Sequence, residues 1–582
     1  MIGRYAKIVI WLLVIIFVVS SYSLLHLYNE HELWGHLPLF QFTSFSFLTL
    51  LLLKRRQLSE KNFWKKIGLA CLSALFLSIG FPPFPLPFFL FIGFIPLLVA
   101  LHEKDHRYLN DIWLIYFTFI LWNIWTTYWV ANTAYFAGIF ANTVNALLMT
   151  LPVLAYLFVV RKLGGPVGLL TFLVCWITFE FLHMRWELYW PWLTLGNGLA
   201  KMPFGVQWYS YTGVLGGSAW ILIVNYLLFK VVSQPHNWRL MQWFKPLAWL
   251  IVPGLISAIV YFSYREKGEP VEIVSVQTNF EPHFEKFSLP MDRMVAQCLE
   301  IANSEISPET EYVILPETTF SRVDLDRPFS SDAVSALANF AAEKEVKVIS
   351  GLSAYRFLDD EEEIKLSTTR AIRRQDGNVD YIEQYNCAVQ IDPEKNIEEY
   401  YKALYVPGAE FFPFKKILFF LKPIVDQLGG TINGYRIRQK FNVFTGNGGT
   451  ILAPAICYES IFGEFMTHFV KKGANIFLVM TNDGWWDNTA GHRQHADFAR
   501  LRAIECRRDV VRSANMGTSC IINQRGDISQ KTTYAEANAI NVTAFKNNDI
   551  TFYVKWGDFI GRISLFITML LMARAFVAKI KD

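Results

Sequence analysis

Charge is scarce in this chain. Only 18% of its 582 residues are Asp, Glu, Lys or Arg, against 53% hydrophobic and 16% aromatic residues. A chain that apolar cannot keep all of its surface in water, so a purely soluble protein is excluded and a membrane protein expected. Paired cysteines are missing too: the seven cysteines, at 71, 175, 298, 387, 457, 506 and 520, form no CxxC and no regular spacing. Neither a disulfide framework nor a zinc site is signalled. No glycine-rich phosphate loop interrupts the chain between about 265 and 557, so nucleotide binding is not expected. The net charge of +4 is modest, and no nucleic-acid partner is expected.

What is abundant is hydrophobic length. Apolar runs fall at about 8–25, 39–53, 67–82, 86–102, 112–131, 139–160, 167–183, 213–232, 246–263 and 558–577, most of them near the roughly 20 residues that span a bilayer. The runs at 39–53 and 67–82 are short enough to be tilted, interfacial or re-entrant. Alternate connecting segments ("GRYAK", "KRRQLSEKNFWKK", "HEKDHRY", "RKLGG", "KVVSQPHNWRLMQWFK", "KIKD") are basic, whereas "HLYNEHELWGHLP", "PPFPLP" and "ANTAYFAG" carry no Lys or Arg. Because basic loops stay on the cytoplasmic side, both termini are expected inside and the large polar block at 265–557 outside, in the periplasm of a two-membrane bacterium. Only 184–212, with Arg185 and Lys201, dissents. The first run lacks a small-residue cleavage site and reads as an anchor; a cleaved signal peptide is the alternative, and its removal leaves the later topology unchanged.

Between 265 and 557 short alternating stretches ("VEIVSVQ", "YVILPE", "VKVISGLSAY", "ILAPAI", "NIFLVMTNDG") read as strands. "GEFMTHFVKKGA" and "HADFARLRAIECRR" read as helices, which together predict a layered α/β domain. Cys457 then ends a strand just before a helix. A lone cysteine is ordinarily core filling, but here helix N-terminal polarity is expected to lower its pKa toward the thiolate. A nucleophilic thiol needs a base, and acyl chemistry needs positive charge or hydrogen-bond donors where an oxyanion develops. Two further strand ends offer these, "YVILPETTF" with Glu317 and "YYKALYVPGAEFFPF" with Lys402 and Glu410.

Taken together, "ILPET", "YKALYVPGAEFFPF", "ICYESIFGE" and "TNDGWWDNTAGHRQHADFARLRAIECRRDVVRSANMGTS" resemble successive blocks of the apolipoprotein N-acyltransferases, the membrane-embedded branch of the nitrilase superfamily. "GFPPFPLPFFLFIGFIPLLVAL" and "YWPWLTLGNGLA" resemble that family's first short hairpin and its Pro-Trp loop, so the likeness covers some 500 residues. It implies a polytopic α-helical membrane domain plus an α/β nitrilase-like (αββα sandwich) extracytoplasmic domain. The expected segments are 1–66, an extra transmembrane hairpin and basic loop; 67–264, a helix bundle; 265–557, the catalytic domain; and 558–582, a final span and tail. It further implies Glu317 as general base, Lys402 as the cation at the oxyanion, Cys457 as the nucleophile that becomes a thioester, Glu410 as the orienter of Lys402, and supporting places for Tyr458 and Glu459. No cofactor is implied.

The chain departs from the family pattern in places. Gly408–Ala409 replaces a Phe-Gly pair, "VQTNFEPHFEKF" offers phenylalanines where a tryptophan is usual, and His183 stands where an arginine is usual, three residues after a matching Glu180. Residues before 67 have no counterpart in shorter members.

An acyl donor with two long chains exists only in the bilayer, which explains why such a domain is anchored by so many spans. The implied partners are a phospholipid donor, a diacylated apolipoprotein acceptor and the membrane. "FFPFKKILFFLKPIVDQL" interleaves Phe411, Phe412, Phe414, Phe419 and Phe420 with lysines and is expected to form a lid on the outer leaflet; a helix of the soluble core is the plainer alternative. Trp192 is a further candidate lipid contact. His492 and His495 suggest no further ligands, so a metal is not expected. The competing readings are a membrane-tethered amidase and a transporter or receptor with a degenerate nitrilase fold.

Overall fold

The computed structural model describes residues 2–102, 111–233, 240–286, 288–358, 368–373, 379–414, 434–436 and 441–578. The chain divides into two compact units, one of residues 1–263, 489–497 and 558–582 and one of residues 264–488 and 498–557.

The first unit is helical. Among the described residues seven helices are long and apolar enough to cross a membrane: Ala6–Asn29, Lys61–Ile79, Tyr135–Leu163, Gly165–His183, Tyr209–Val232, Met241–Ser263 and Phe559–Val577. Shorter apolar helices run over Leu37–Leu53, Pro87–Leu101 and Ile112–Thr127. The run at 86–102, expected as a span, is a 3₁₀ turn (Pro87–Ile92) followed by a short α-helix (Ile95–Leu101). The prolines and glycine of this stretch remove donors and break the ladder. The run at 67–82 extends backward instead into a full helix from Lys61.

The N-terminal hairpin packs on the rest of the unit. Tyr135 donates to Gln41 Oε1 at 2.7 Å, Trp125 Nε1 donates to Thr43 Oγ1 at 3.1 Å, and the Phe47 and Phe117 rings meet edge to face at 5.1 Å. Inside Leu240–Ser263, Pro253 has no N–H for the Trp249 carbonyl one turn back. That carbonyl accepts the Trp220 indole N–H at 2.6 Å.

Several buried polar groups in this unit bond to neighbours within it. His183 Nε2 bonds Asn145 Oδ1 at 2.9 Å, and Glu180 Oε1 accepts from Trp176 Nε1 at 2.9 Å and the Leu195 N–H at 2.8 Å. Lys66 and Asp111, both buried, form an ion pair at 2.8 Å. Trp192, expected to touch lipid, is 1% exposed. Its ring lies 4.7 Å from Trp129 and its indole N–H donates to Gln494 Oε1 at 2.6 Å, so its contacts are with protein.

The second unit is a sandwich. Its strands are β1 (Glu269–Gln277), β2 (Thr310–Ile314), β3 (Phe320–Asp324), β4 (Lys347–Phe357), β5 (Arg370–Arg373), β6 (Val379–Ile391), β7 (Ile397–Tyr401), β8 (Phe444–Thr445), β9 (Ile451–Ile456), β10 (Ile476–Thr481), β11 (Asp509–Ala514), β12 (Cys520–Ile522), β13 (Ile528–Lys531) and β14 (Asn538–Lys546). One sheet has the order β14-β1-β2-β4-β6-β5, with β3 on β4 and β7 on β6; the other runs β13-β12-β11-β10-β9-β8.

Alternation decides the layers, because successive strand residues point to opposite faces. Val271, Ile273, Tyr312 and Ile314 belong to a core cluster that also holds Ala453, Phe477, Val479 and Val510 of the second sheet. Val274, Val276, Val313 and Leu315 face the helices Met291–Ser304 and Asp332–Lys344 through Cys298, Ala302, Leu337 and Ala341. Gly463–Lys471 covers the second sheet with Met466, Phe469 and Val470. Helix, sheet, sheet and helix follow one another, as the αββα reading expects.

Candidate active site

The three strand ends singled out in the sequence meet at one edge of this sandwich. Glu317 follows β2 in a tight turn held against β4: Gly351 N–H donates to Pro316 O at 3.1 Å, and Gly351 O accepts from Thr319 N at 2.8 Å. A Cβ on Gly351 would stand 2.6 Å from Glu317 Cα, so only glycine allows β4 to pass this close.

Lys402 leaves β7 and points its ammonium into the buried space under that turn. Its Nζ lies 2.9 Å from Glu317 Oε1 and 2.8 Å from Glu410 Oε1, with 1% of the side chain exposed. Glu410 reaches it because the chain reverses over Val406–Phe411, where Gly408 sits at φ +82°. Gly408 N–H donates to Phe411 O at 2.8 Å, and Val406 N–H donates to Glu410 Oε2 at 2.7 Å. The Gly408–Ala409 departure from the family pattern thus still closes a turn that returns the carboxylate to the lysine.

Cys457 ends β9 and opens a 3₁₀ turn over Cys457–Ile461, at φ +49° and 7% exposed. A non-glycine residue in the left-handed region is held there by its surroundings and is common at reactive positions. Burial pushes the thiol well above its ordinary pKa and the Glu317 carboxylate pushes the same way, while the Lys402 ammonium pulls it down and Asp483 adds to the rise. The expected drop toward thiolate is therefore overturned: loss of hydration and the nearby carboxylates outweigh the polarity of one short turn. The resting sulfur is a thiol that needs its proton taken.

Glu317 is the first carboxylate whose charge acts on that thiol. Burial raises its carboxyl, but the Lys402 charge and hydrogen bonds from Lys402 and Asn386 overrule that and hold it below the usual carboxylate value. Asn386 Nδ2 donates to Glu317 Oε1 at 2.8 Å, and the Asn482 backbone N–H donates to Oε2 at 3.2 Å. Glu410 moves the other way: burial raises it, Lys402 opposes, and Glu317 beside it adds to the rise. The Lys402 ammonium is held well above its ordinary value although burial works against it, because both carboxylates face it. It cannot act as a base at neutral pH.

Glu459 ties the pieces together. Its Oε1 accepts from Tyr400 OH at 2.8 Å, Ala403 N at 2.6 Å and Leu404 N at 3.2 Å, and its Oε2 accepts from Ile456 N at 2.8 Å. One side chain so fixes the backbone just after Lys402 and just before Cys457. Burial pushes this carboxyl up to about 7, with the Ile456 and Ala403 N–H donors pulling against it. At pH 8 Glu459→Gln is expected to leave one of these buried donors facing an NH₂ group and to cost about 1–3 kcal/mol. A lower midpoint in thermal unfolding of the detergent-solubilised protein would record it.

Tyr458 is buried with its ring 5.3 Å from Phe462. Behind the cysteine, buried Arg512 is paired with Asp483, whose Oδ1 accepts from Thr481 at 2.7 Å. Phe411, Phe412 and Phe414 are half-buried, whereas Phe419 and Phe420, with the rest of the expected lid, lie outside the described residues. Among the described residues no three His, Cys, Asp or Glu side chains gather as a metal site. Asn386 and Asn482 were not singled out from the sequence: one is a mid-strand polar residue and the other acts through its backbone, so neither leaves a signature in residue type.

Comparison with known proteins adds the following. Residues 73–227 match the family described as Apolipoprotein N-acyltransferase N-terminal domain, and residues 276–550 match Carbon-nitrogen hydrolase. A Chlorobaculum tepidum protein named Apolipoprotein N-acyltransferase is 25% identical over 532 residues, covering 88% of this chain and 97% of its own. A Bdellovibrio bacteriovorus protein of the same name is 27% identical over 535 residues, covering 84% and 90%. Among solved structures, Saccharomyces cerevisiae Nit3, a member of branch 10 of the nitrilase superfamily, is 14% identical with a TM-score of 0.34, covering 48% of this chain and 90% of that one.

Proposed function

Because the chain belongs to the apolipoprotein N-acyltransferase family, the membrane-embedded branch of the nitrilase superfamily, we propose that it moves a fatty acyl chain from a membrane phospholipid to the α-amino group of a lipoprotein's diacylglyceryl cysteine, by way of a thioester on Cys457. It is an acyltransferase and a multi-pass membrane protein. The basic loops favour the inner membrane of a bacterium, with the sandwich in the periplasm. The observation that carries the reading is the convergence of Glu317, Lys402 and Glu410 within hydrogen-bond distance, in the same buried pocket whose charges act on the Cys457 thiol.

In the first half-reaction Glu317 takes the thiol proton as the sulfur attacks the ester carbonyl. Lys402 has three N–H donors, two of them spent on the glutamates, which leaves one for the oxyanion. Collapse breaks the ester C–O bond, and the glycerol oxygen leaves with the proton that Glu317 holds. In the second half the lipoprotein amine attacks the thioester, Glu317 takes its proton, and the sulfur departs with a proton returned from Glu317. The half-buried Phe411, Phe412 and Phe414, which follow Glu410, supply apolar surface that helps keep water from the thioester.

The test is to incubate purified enzyme with phospholipid alone and then add a diacylglyceryl-cysteine peptide. Intact mass should show one acyl chain on the Cys457 peptide after the first step and N-acyl peptide after the second. Free fatty acid as the sole product would make the protein a membrane-tethered amidase, and no adduct with undiminished transfer would remove the thioester.

A further inference from the structure

Lys286 plays no part in the chemistry above, yet it is 4% exposed beside it. The loop that carries it is fixed at both ends of a turn. Glu281 accepts the N–H groups of His283 at 2.9 Å and Phe284 at 2.7 Å through its carboxylate, and that of Lys286 at 2.8 Å through its carbonyl. Asn515 clamps Phe280 through both backbone groups, and the His283 ring stands edge-on to Trp485 at 5.1 Å. The turn drives the Lys286 side chain inward, where its ammonium donates to Thr318 Oγ1 at 3.4 Å. Thr318 follows Glu317 directly and holds φ +47°. Among the described residues the Lys286 ammonium has no carboxylate partner within ion-pair distance.

A buried ammonium without an ion pair is costly unless a nearby field compensates it. The groups facing it are Glu317 and Thr318 from the β2 turn and Cys298 from the helix Met291–Ser304; beyond Glu317 lie Lys402 and Glu410 from the β7 end and Cys457 from the β9 end. Buried Glu317 and half-buried Glu410 supply two carboxylates and Lys402 one ammonium, which leaves an excess negative charge. Lys286 brings the group to neutrality. Without it the repair is a proton on Glu317 or Glu410, and a protonated Glu317 cannot accept the thiol hydrogen.

We propose that Lys286 is a positioning residue for charge: from behind the β2 turn it keeps Glu317 ionised, and so ready to take the proton of Cys457. The inference rests on the base role given to Glu317 above. Burial pushes the Lys286 ammonium itself down to about 8, with Glu317 pulling it up. The same charge therefore fades on the alkaline side.

The experiment is the pH profile of kcat/KM for acyl transfer by the full-length protein in detergent–phospholipid micelles. Lys286→Met should move the acid limb upward by about one pH unit, while Lys286→Arg should keep it in place. Lys286→Gln, which retains a donor for Thr318, stands in for Lys286→Met if that variant does not accumulate. An acid limb unmoved in the neutral variant, or moved equally in Lys286→Arg, overturns the proposal. Glu317→Gln separates the two readings: an acid limb that survives it sinks the base assignment, whereas one that vanishes there but ignores Lys286→Met sinks only the role of Lys286.

Discussion

Cys457→Ala is expected to lower kcat by at least about 10⁴-fold, with no acyl adduct on the protein and with its thermal unfolding unchanged. The size of the loss follows from the role proposed for the sulfur, that of carrying the acyl chain between two substrates, which the charged groups beside it cannot take over. Lys402 is held fully charged, and both carboxylates bonded to it are poor nucleophiles toward an ester. Stability should hold because the change removes one small, buried sulfur that burial already keeps as a neutral thiol. Cys457→Ser tests the same point from the other side, since a hydroxyl in the same buried pocket is harder still to deprotonate. Transfer by either variant at a rate near that of the wild type would end the thioester scheme.

Lys402→Met should be as damaging to turnover and, unlike the cysteine change, damaging to the fold. Losing an oxyanion donor costs about 10²- to 10³-fold, and the base is displaced as well. Two buried carboxylates are also left without their shared cation, a situation that costs about 3–5 kcal/mol. The sign with pH is specific. In the wild type the depressed Glu317 carboxyl contributes stability above its unfolded pKa of about 4.3, and that contribution is lost as pH falls through the folded value. In Lys402→Met the same carboxyls titrate higher folded than unfolded, so the deficit grows as pH rises above about 4.3 and closes on acidification. Thermal unfolding of both proteins between pH 4 and 8 distinguishes the two slopes.

How far the sequence foretold this arrangement depends on the range of the interaction involved. β1, β4, β9 and β10 fall where alternating apolar residues placed them, because a two-residue period is written locally. Glu317, Lys402 and Cys457 each end such a strand, which made the trio legible once all three were considered together. Asn386 was not legible. It lies in the middle of β6, and only the pairing of β6 with β4, which sets it opposite Ser353, aims its amide at a carboxylate 69 positions away. Lys286 was not singled out either, since its burial follows from contacts of Phe280 with Asn515 and of His283 with Trp485. The direction of the thiol shift was misjudged for a related reason: a turn's polarity can be read from neighbours in sequence, whereas desolvation is a property of the closed pocket. Pro87, Gly93 and Pro96 interrupt the helix within the apolar run at 86–102, a local break that overall hydropathy does not register.

The reacting groups are divided between the two sheets. Glu317 and Lys402 hang from β2 and β7 of one, whereas Cys457 and the Asn482 N–H come from β9 and β10 of the other. On the proposed roles, a fragment ending after β7 carries the base and the cation without Cys457, and one beginning at β8 carries Cys457 without either. On that reading neither fragment assembles the proposed site, and acyl transfer has to wait until both sheets of the sandwich have met.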